Sequence, residues 1–343
     1  MTSSLTVALA ALGGVVLAGV VAHGAWQARK AGPKRAASPL PRGEAREPVL
    51  ASEPAEPPAA ALEPRIVRRA SARLDALIDA IAPLALEAPI SGEMVLMHLP
   101  PTRRAGSKPF LIEGLNAATG EWEAALPGQR YGEFQAGVQL ANRTGALNEI
   151  EYSEFVQKVE AFAEAVGAMA DFPDMLDVVA RARELDAFAG EHDAQLAVHL
   201  QARSAAWSVG YIQQHAGRHG FVAGVVPGRL VLPSAEEGAP PVLTLTFDSQ
   251  AAFADDPTRA AVRDVTLSFD VPQTDPSAEP FIAWQASAQA LALGMDAGIV
   301  DDNARPLSAE GFAAIGSELG QLYGKLEARD LAAGSAAARR LFS

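Results

Sequence analysis

Cysteine is absent from the 343-residue chain. Its absence excludes disulfide bonds, thiolate catalysis and cysteine-ligated zinc, and it fits a reducing, cytoplasmic location for the folded part. Positive charge is also scarce beyond the N-terminal region. The first 50 residues carry six basic and two acidic side chains, whereas the whole chain has a net charge of −13, so the remaining residues carry −17. Because nucleic acid binding requires a basic face, we expect no nucleic acid partner.

Charged residues are missing altogether from residues 5–26, a mostly apolar stretch. As a helix it would be about 33 Å long, enough to cross the hydrocarbon core of a bilayer. Basic residues follow it at Arg29, Lys30, Lys34, Arg35, Arg42 and Arg46. The positive-inside rule then places residues 1–4 in the periplasm and the rest of the chain in the cytoplasm. We predict a single-pass inner-membrane anchor that contacts lipid through residues 5–26 and the basic flank.

Two alternatives concern this segment. A cleaved signal peptide would also be apolar, and Ala22 and Gly24 would permit cleavage, but the basic stretch that should precede the apolar run is missing. Gly14 and Ala18 form a small-xxx-small pair, which can pack two helices together. Dimerisation through the span therefore stays open.

Eight prolines lie between residues 31 and 65. A segment rich in Pro, Ala and Glu cannot bury enough apolar surface to fold, and its prolines keep it extended. We predict a disordered linker over residues 27–65 that holds a folded part away from the membrane. Just beyond it, apolar residues recur at helical spacing at Leu74, Leu77, Ile78 and Ile81. This spacing predicts that the folded part begins with a helix.

An internal repeat follows. A strand-like alternation and then a helical pattern occur twice, with 129 positions between the two members of each residue pair. The pairs are Val138/Leu267, Leu140/Phe269, Tyr152/Phe281, Phe155/Trp284, Val159/Ala288, Phe162/Leu291, Ala163/Ala292 and Val166/Met295. A second similarity, offset by 101 positions, relates residues 95–99 to residues 196–200. We predict related α+β half-domains over 66–190 and 191–330, although any two strand–helix units would show some likeness.

Period-two alternation marks the strands of the second half. Leu243, Leu245 and Phe247 alternate with polar residues, and the stretch from Val265 to Val271 does the same. This pattern is typical of an antiparallel sheet with one buried and one open face, so we predict an α+β fold with helices on one face of the sheet. The predicted strands are 93–99, 110–115, 131–141, 194–201, 221–232, 242–248, 263–271 and 298–301. The predicted helices are 150–170, 173–189, 207–219, 280–296 and 308–327, and residues 331–343 are predicted to be a frayed tail.

The sequence offers no convincing catalytic constellation. His215 and His219 are four apart, as two zinc ligands on a helix would be, but a third ligand is not obvious. Asp301 and Asp302 could form a paired-carboxylate site, although such a pair more often ends a strand and caps a turn. No glycine-rich phosphate loop follows a strand. We therefore expect a binding protein rather than an enzyme, with no cofactor, no metal and no small-molecule substrate.

Several stretches together resemble the ZipA family of bacterial cell-division proteins. They are His23-Gly24-Ala25-Trp26-Gln27-Ala28-Arg29-Lys30, the strand Val265–Pro272, the apolar helix Phe281–Met295 and the stretch Gly298–Asp302. The order of anchor, basic then Pro-rich linker and C-terminal domain is also similar, and the resemblance covers residues 191–330. It implies an antiparallel sheet with helices on one face, and an open face that binds the C-terminal tail of FtsZ in a shallow apolar groove.

The resemblance also implies which residues line this groove. They are Ala197, His199, Val226, Thr244, Thr246, Thr266 and Ser268. The strand alternation independently turns the Thr and Ser residues away from the helices, so we expect them to be exposed. Thr, Ser and His stand where the family has larger apolar side chains, and less apolar burial implies weaker binding of a hydrophobic tail. The first half's sheet around Gln135, Gly137 and Gln139 is the next candidate.

Three functional hypotheses follow. The first is an inner-membrane anchor that binds the FtsZ tail and tethers filaments at the division site, where a multivalent filament makes weak sites sufficient. The second is a membrane-tethered scaffold that binds a different protein or its own copy. An enzyme is the third and least favoured.

Overall fold

The structure is a computed structural model that describes residues 73–248 and 261–343. The predicted span over residues 5–26 and the predicted linker over residues 27–65 lie outside the described residues. Within the described ranges, none of the helices combines the length and the apolar character that crossing a bilayer requires.

The first half forms a six-stranded antiparallel sheet in the order β2-β3-β5-β1-β8, with β4 paired to β3. Its strands are β1 (Asp79–Ser91), β2 (Arg104–Ala105), β3 (Lys108–Asn116), β4 (Trp122–Glu123), β5 (Arg130–Gln139) and β8 (Ala168–Ala170). Its helices are α1 (Gly92–His98), α2 (Glu149–Val166) and α3 (Met175–His192). A two-stranded hairpin of β6 (Ala141–Asn142) and β7 (Gly145–Ala146) precedes α2.

The second half forms another six-stranded antiparallel sheet, in the order β10-β11-β12-β13-β9-β14. Its strands are β9 (Gln195–Ala202), β10 (Val222–Ala223), β11 (Arg229–Leu232), β12 (Leu243–Thr246), β13 (Asp264–Asp270) and β14 (Ala297–Val300). The helices are α4 (Val209–Gly217), α5 (Pro280–Met295), α6 (Ala309–Glu327) and α7 (Ala336–Leu341). The predicted α+β class with antiparallel sheets is therefore confirmed.

Alternation decides which face of the second sheet is buried. Val265, Leu267 and Phe269 are at most 2% exposed, because every second side chain of β13 points to the same face of the sheet. Trp284 of α5 packs edge-on against Phe269, with ring centroids 6.1 Å apart, and its indole nitrogen donates to the carbonyl of Leu267 at 2.9 Å. The polar residues between them lie on the opposite face.

The two halves share one order of elements. The neighbours β3-β5-β1-β8 with α2 correspond to β12-β13-β9-β14 with α5, and the offset of 129 positions continues beyond the eight residue pairs. Gly167 and Asp296, which end α2 and α5, both adopt left-handed backbone angles (φ 70° and 57°). Ala168 and Ala297 then begin the edge strands β8 and β14. The repeated pattern thus falls on corresponding elements.

Two predictions for the start of the folded part are wrong. Instead of a helix at residues 74–81, β1 begins at Asp79, and its small residues Ala80 and Ala82 alternate into the core with no exposed surface. Instead of a strand at residues 93–99, α1 spans Gly92–His98, with the Ser91 hydroxyl accepting a hydrogen bond from the backbone N–H of Met94 at 3.4 Å. The offset of 101 positions therefore relates a helix to a strand.

The predicted frayed tail over residues 331–343 is also wrong. Its residues form α7, and Leu341 and Phe342 are fully buried in the core of the first half. The Arg340 guanidinium binds the Asp79 carboxylate at 2.8 Å, and the Gln139 side chain donates to the carbonyl of Arg340 at 2.7 Å. The sheets thus divide between α3 and β9, but the end of the chain completes the first core.

Candidate functional site

The second sheet brings six of the seven predicted groove residues together on its face away from α5. Thr244, Ser268 and Ala197 are register partners on β12, β13 and β9. Thr246, Thr266 and His199 form the next row on the same strands. Because neighbouring strands lie about 4.8 Å apart, the residues of each row are cross-strand neighbours.

Val226, the seventh residue, lies in the turn between β10 and β11 and not on a strand. It is 55% exposed and lines an apolar cavity of about 450 Å³. Val231 of β11 lines the same cavity and is the register partner of Thr244, so the cavity continues the groove face beyond β12. Further lining comes from Val225, Arg229, Pro233, Glu236, Glu237 and Pro241.

The expectation that the Thr and Ser residues are exposed is wrong for two of them. Thr244 and Ser268 are only 7% and 6% exposed, whereas Thr246 and Thr266 remain partly exposed. Arg229 of β11 reaches over the sheet and donates to the Thr244 hydroxyl at 3.3 Å. The Thr244 hydroxyl is therefore contacted by a longer side chain from the neighbouring strand, which alternation along one strand does not reveal.

His199 lies between two carboxylates at the far end of this face. Its Nδ1 is 3.1 Å from Asp264 and 3.2 Å from the Thr266 hydroxyl, and its Nε2 is 3.1 Å from Asp302. Burial lowers the pKa of His199, but hydrogen bonds and charge from Asp264 and Asp302 outweigh it and raise the pKa above the ordinary value of about 6.5. Each ring nitrogen of His199 thus faces one carboxylate, and Nδ1 also lies within hydrogen-bond distance of the Thr266 hydroxyl.

Asp301 and Asp302, the predicted acidic pair, have different hydrogen-bond partners. Asp301 caps the turn after β14, and its carboxylate accepts from the backbone N–H groups of Asn303 and Arg305 at 2.9 and 2.8 Å. This confirms the turn-capping interpretation for Asp301. Asp302 instead contacts His199, a pairing 103 positions apart that sequence spacing did not reveal.

Only one of the two histidines considered as zinc ligands lies on α4. The His215 ring packs on Tyr211, with centroids 4.4 Å apart, and His219 lies beyond the end of α4. Across residues 73–248 and 261–343, His, Asp and Glu do not gather into any group of three or more that could hold a metal ion.

The corresponding face of the first sheet is filled by the chain itself. Gly137, which corresponds to Thr266 at the offset of 129, lies under Leu74, and a Cβ at position 137 would collide with the Leu74 side chain. Gln139 is 1% exposed, and its buried amide donates to the carbonyls of Ala141 and Arg340, each at 2.7 Å. Gln135 donates to Glu113 at 2.9 Å. The second sheet is thus the better candidate for an external ligand.

No protein-family model matches the chain, and none of the curated proteins matches it either.

Proposed function

We propose that the chain is a membrane-tethered adaptor whose second sheet binds a peptide segment, and that this segment is the C-terminal tail of FtsZ. The observation that carries the proposal is the apolar cavity beside Val226 and Val231, which opens onto a sheet face whose counterpart in the first half is filled. In this proposal, residues 5–26 anchor the protein in the inner membrane and residues 27–65 let it reach filaments at the division site.

The size of the cavity fits a small number of apolar anchors. A volume of about 450 Å³ is within the range of small-ligand clefts and accommodates one or two large aliphatic or aromatic side chains. Fully burying each such side chain contributes roughly 1.5–3 kcal/mol, and association and ordering offset part of this gain. The proposed complex is therefore weak for one tail, and a filament that presents many tails supplies the avidity.

The polar rows on the sheet favour the second hypothesis, a scaffold with another partner. Thr246, Thr266 and His199 present hydroxyl and imidazole groups to the ligand. An apolar tail would bind more tightly to apolar side chains at these positions. The same membrane tether and the same face would serve such a partner. The two candidates differ only in the sequence of the bound segment.

Titration of the full chain in nanodiscs with a fluorescent peptide of the host's FtsZ C-terminus tests the proposal. Val226→Asp places a charge in the cavity wall at a 55%-exposed position, so the fold should survive while the peptide loses affinity by at least about tenfold, roughly 1.4 kcal/mol. Met169→Asp, a 79%-exposed apolar residue on β8 of the first half, is the matched control and should bind normally. Equal affinity of both variants and the wild type would remove the cavity from the site.

A further inference from the structure

The groove face is chemically uneven from one end to the other. Its cavity end is lined by Val225, Val226 and Val231, and the charges on its rim, from Arg229, Glu236 and Glu237, largely balance. Glu236 is also paired with Arg339 of α7 at 2.8 Å. This end is therefore suited to an apolar side chain rather than to a charge of either sign.

The opposite end is acidic. Asp264 and Asp302 each bind His199 through one carboxylate oxygen, and their side chains remain 45% and 81% exposed. With His199 protonated the three groups carry a net charge of −1, and with His199 neutral they carry −2. In either state the cluster attracts a basic side chain, and the strongly acidic chain as a whole steers basic segments toward it.

Strand geometry fixes how far apart the two ends are. Val231, Thr244 and Ser268 are register partners on three adjacent strands, and Asp264 lies four residues along β13 from Ser268. Two strand spacings of about 4.8 Å and four residues of about 3.3 Å give a diagonal of roughly 16 Å. An extended peptide covers this distance in four to five residues, and residues four apart point to the same side.

We propose that the bound segment is an extended peptide that places an apolar side chain in the cavity at Val226 and Val231 and, four residues away, a lysine or arginine at Asp264 and Asp302. This inference rests on the proposed function, because it specifies the chemistry of the segment that the same face binds. The balanced rim at one end and the acidic cluster at the other set the direction in which the peptide lies across β11, β12 and β13.

Two peptides probe the full chain in nanodiscs of zwitterionic phosphatidylcholine, so that anionic lipid does not compete for basic residues. The first is the FtsZ tail peptide. The second is a Gly/Ser peptide with a Leu-Phe pair and, four positions on, a Lys-Arg pair, and its control has the same composition with the two pairs eight positions apart. Fluorescence anisotropy at low salt gives the affinity of each.

The double variant Asp264→Asn/Asp302→Asn should bind the spaced Leu-Phe/Lys-Arg peptide about fivefold or more weakly than the wild type, and the loss should shrink in high salt because the cluster is exposed. Glu160→Gln, an exposed carboxylate on α2, is the matched control and should not change the affinity. If the double variant does not fold, Asp302→Lys at the 81%-exposed position should weaken the Lys-Arg peptide and favour a Glu-Glu version of it.

The outcomes separate this inference from the proposed function. If the FtsZ tail binds and Val226→Asp abolishes its binding, but the loss of Asp264 and Asp302 changes nothing, the function stands and the inference is wrong. If the tail does not bind but the spaced peptide does, with the expected dependence on the carboxylates, the inference stands and the partner is wrong. Equal binding of the spaced peptide and its control, or binding of neither, overturns the inference.

Discussion

Replacing Phe342 by alanine should unfold the first half before the second, although Phe342 lies at the end of the second half in sequence. The side chain is fully buried and belongs to the core of the first half, together with Leu341 of the same helix. Truncation of a buried phenylalanine to alanine costs about 3–5 kcal/mol, through lost apolar transfer and the cavity left behind. The Phe342 carbonyl, which accepts from the Gln273 side chain, is kept in the variant, so the change isolates the aromatic ring.

The loss of stability expected for Phe342→Ala is large compared with the total free energy of unfolding of a typical domain, about 5–15 kcal/mol. Hydrogen exchange followed by mass spectrometry resolves the two halves. We expect amides in β1, β5 and α2 to lose protection, while those in β9 and β13 stay protected, because their core is built around Trp284. Leu293→Ala, at an 88%-exposed position of α5, should change stability by no more than about 0.5 kcal/mol.

Either of two results would refute this reasoning. A loss of stability below about 1 kcal/mol would mean that the ring does not fill the first core. Loss of protection confined to the second half would mean that α7 stabilises the second sheet and its helices instead of the first.

Three further predictions concern the sheet faces. Ser268→Lys should lower the urea midpoint, because a charge enters a site that is 6% exposed, and an unchanged midpoint would contradict the burial. His199→Gln should lower the free energy of unfolding by less than about 1 kcal/mol, since the carboxylate partners of His199 are exposed to solvent. This loss should be greatest below about pH 6.5 and should vanish as the pH rises through the raised pKa of His199. A difference in melting temperature between variant and wild type that stays constant from pH 5.5 to 8.5 would disprove it. Gly137→Val should displace Leu74 and lower the melting temperature by overpacking worth about 1–2 kcal/mol, whereas an unchanged melting temperature would show that Leu74 moves freely.

Sequence patterns predicted the parts of the fold in which one face of a strand is strongly apolar. On β13 a shift by one residue would bring Thr266 and Ser268 into the core, so alternation fixes both the strand and its face. The helix α5 gives a different signal, because it is apolar on nearly every side: Trp284 is buried, whereas Ile282 and Leu293 are 59% and 88% exposed. The residue pairs at an offset of 129 lie on these elements and on their counterparts β5 and α2 in the first half.

The predictions that are wrong concern weak patterns and distant contacts. On β1 the buried positions include Ala80 and Ala82, whose small side chains give little apolar contrast, so the spacing of larger residues around Leu74 imitated a helix. In α7, Arg340 binds Asp79 across 261 positions, and local sequence does not indicate such a partner. The pairing of His199 with Asp302 is nonlocal in the same way.

One residue shows how two similar sheets come to differ in what they can bind. At Gly137 the missing Cβ leaves room for Leu74, so the first face is closed by the chain's own apolar side chain. The corresponding residue Thr266 has a branched side chain, and its hydroxyl lies 3.2 Å from His199. A leucine cannot settle there without desolvating these polar groups, which costs free energy unless they find new partners. This difference supports the ligand that we propose for the second face, a segment that brings an apolar side chain to the neighbouring cavity and a charged group to the His199 end.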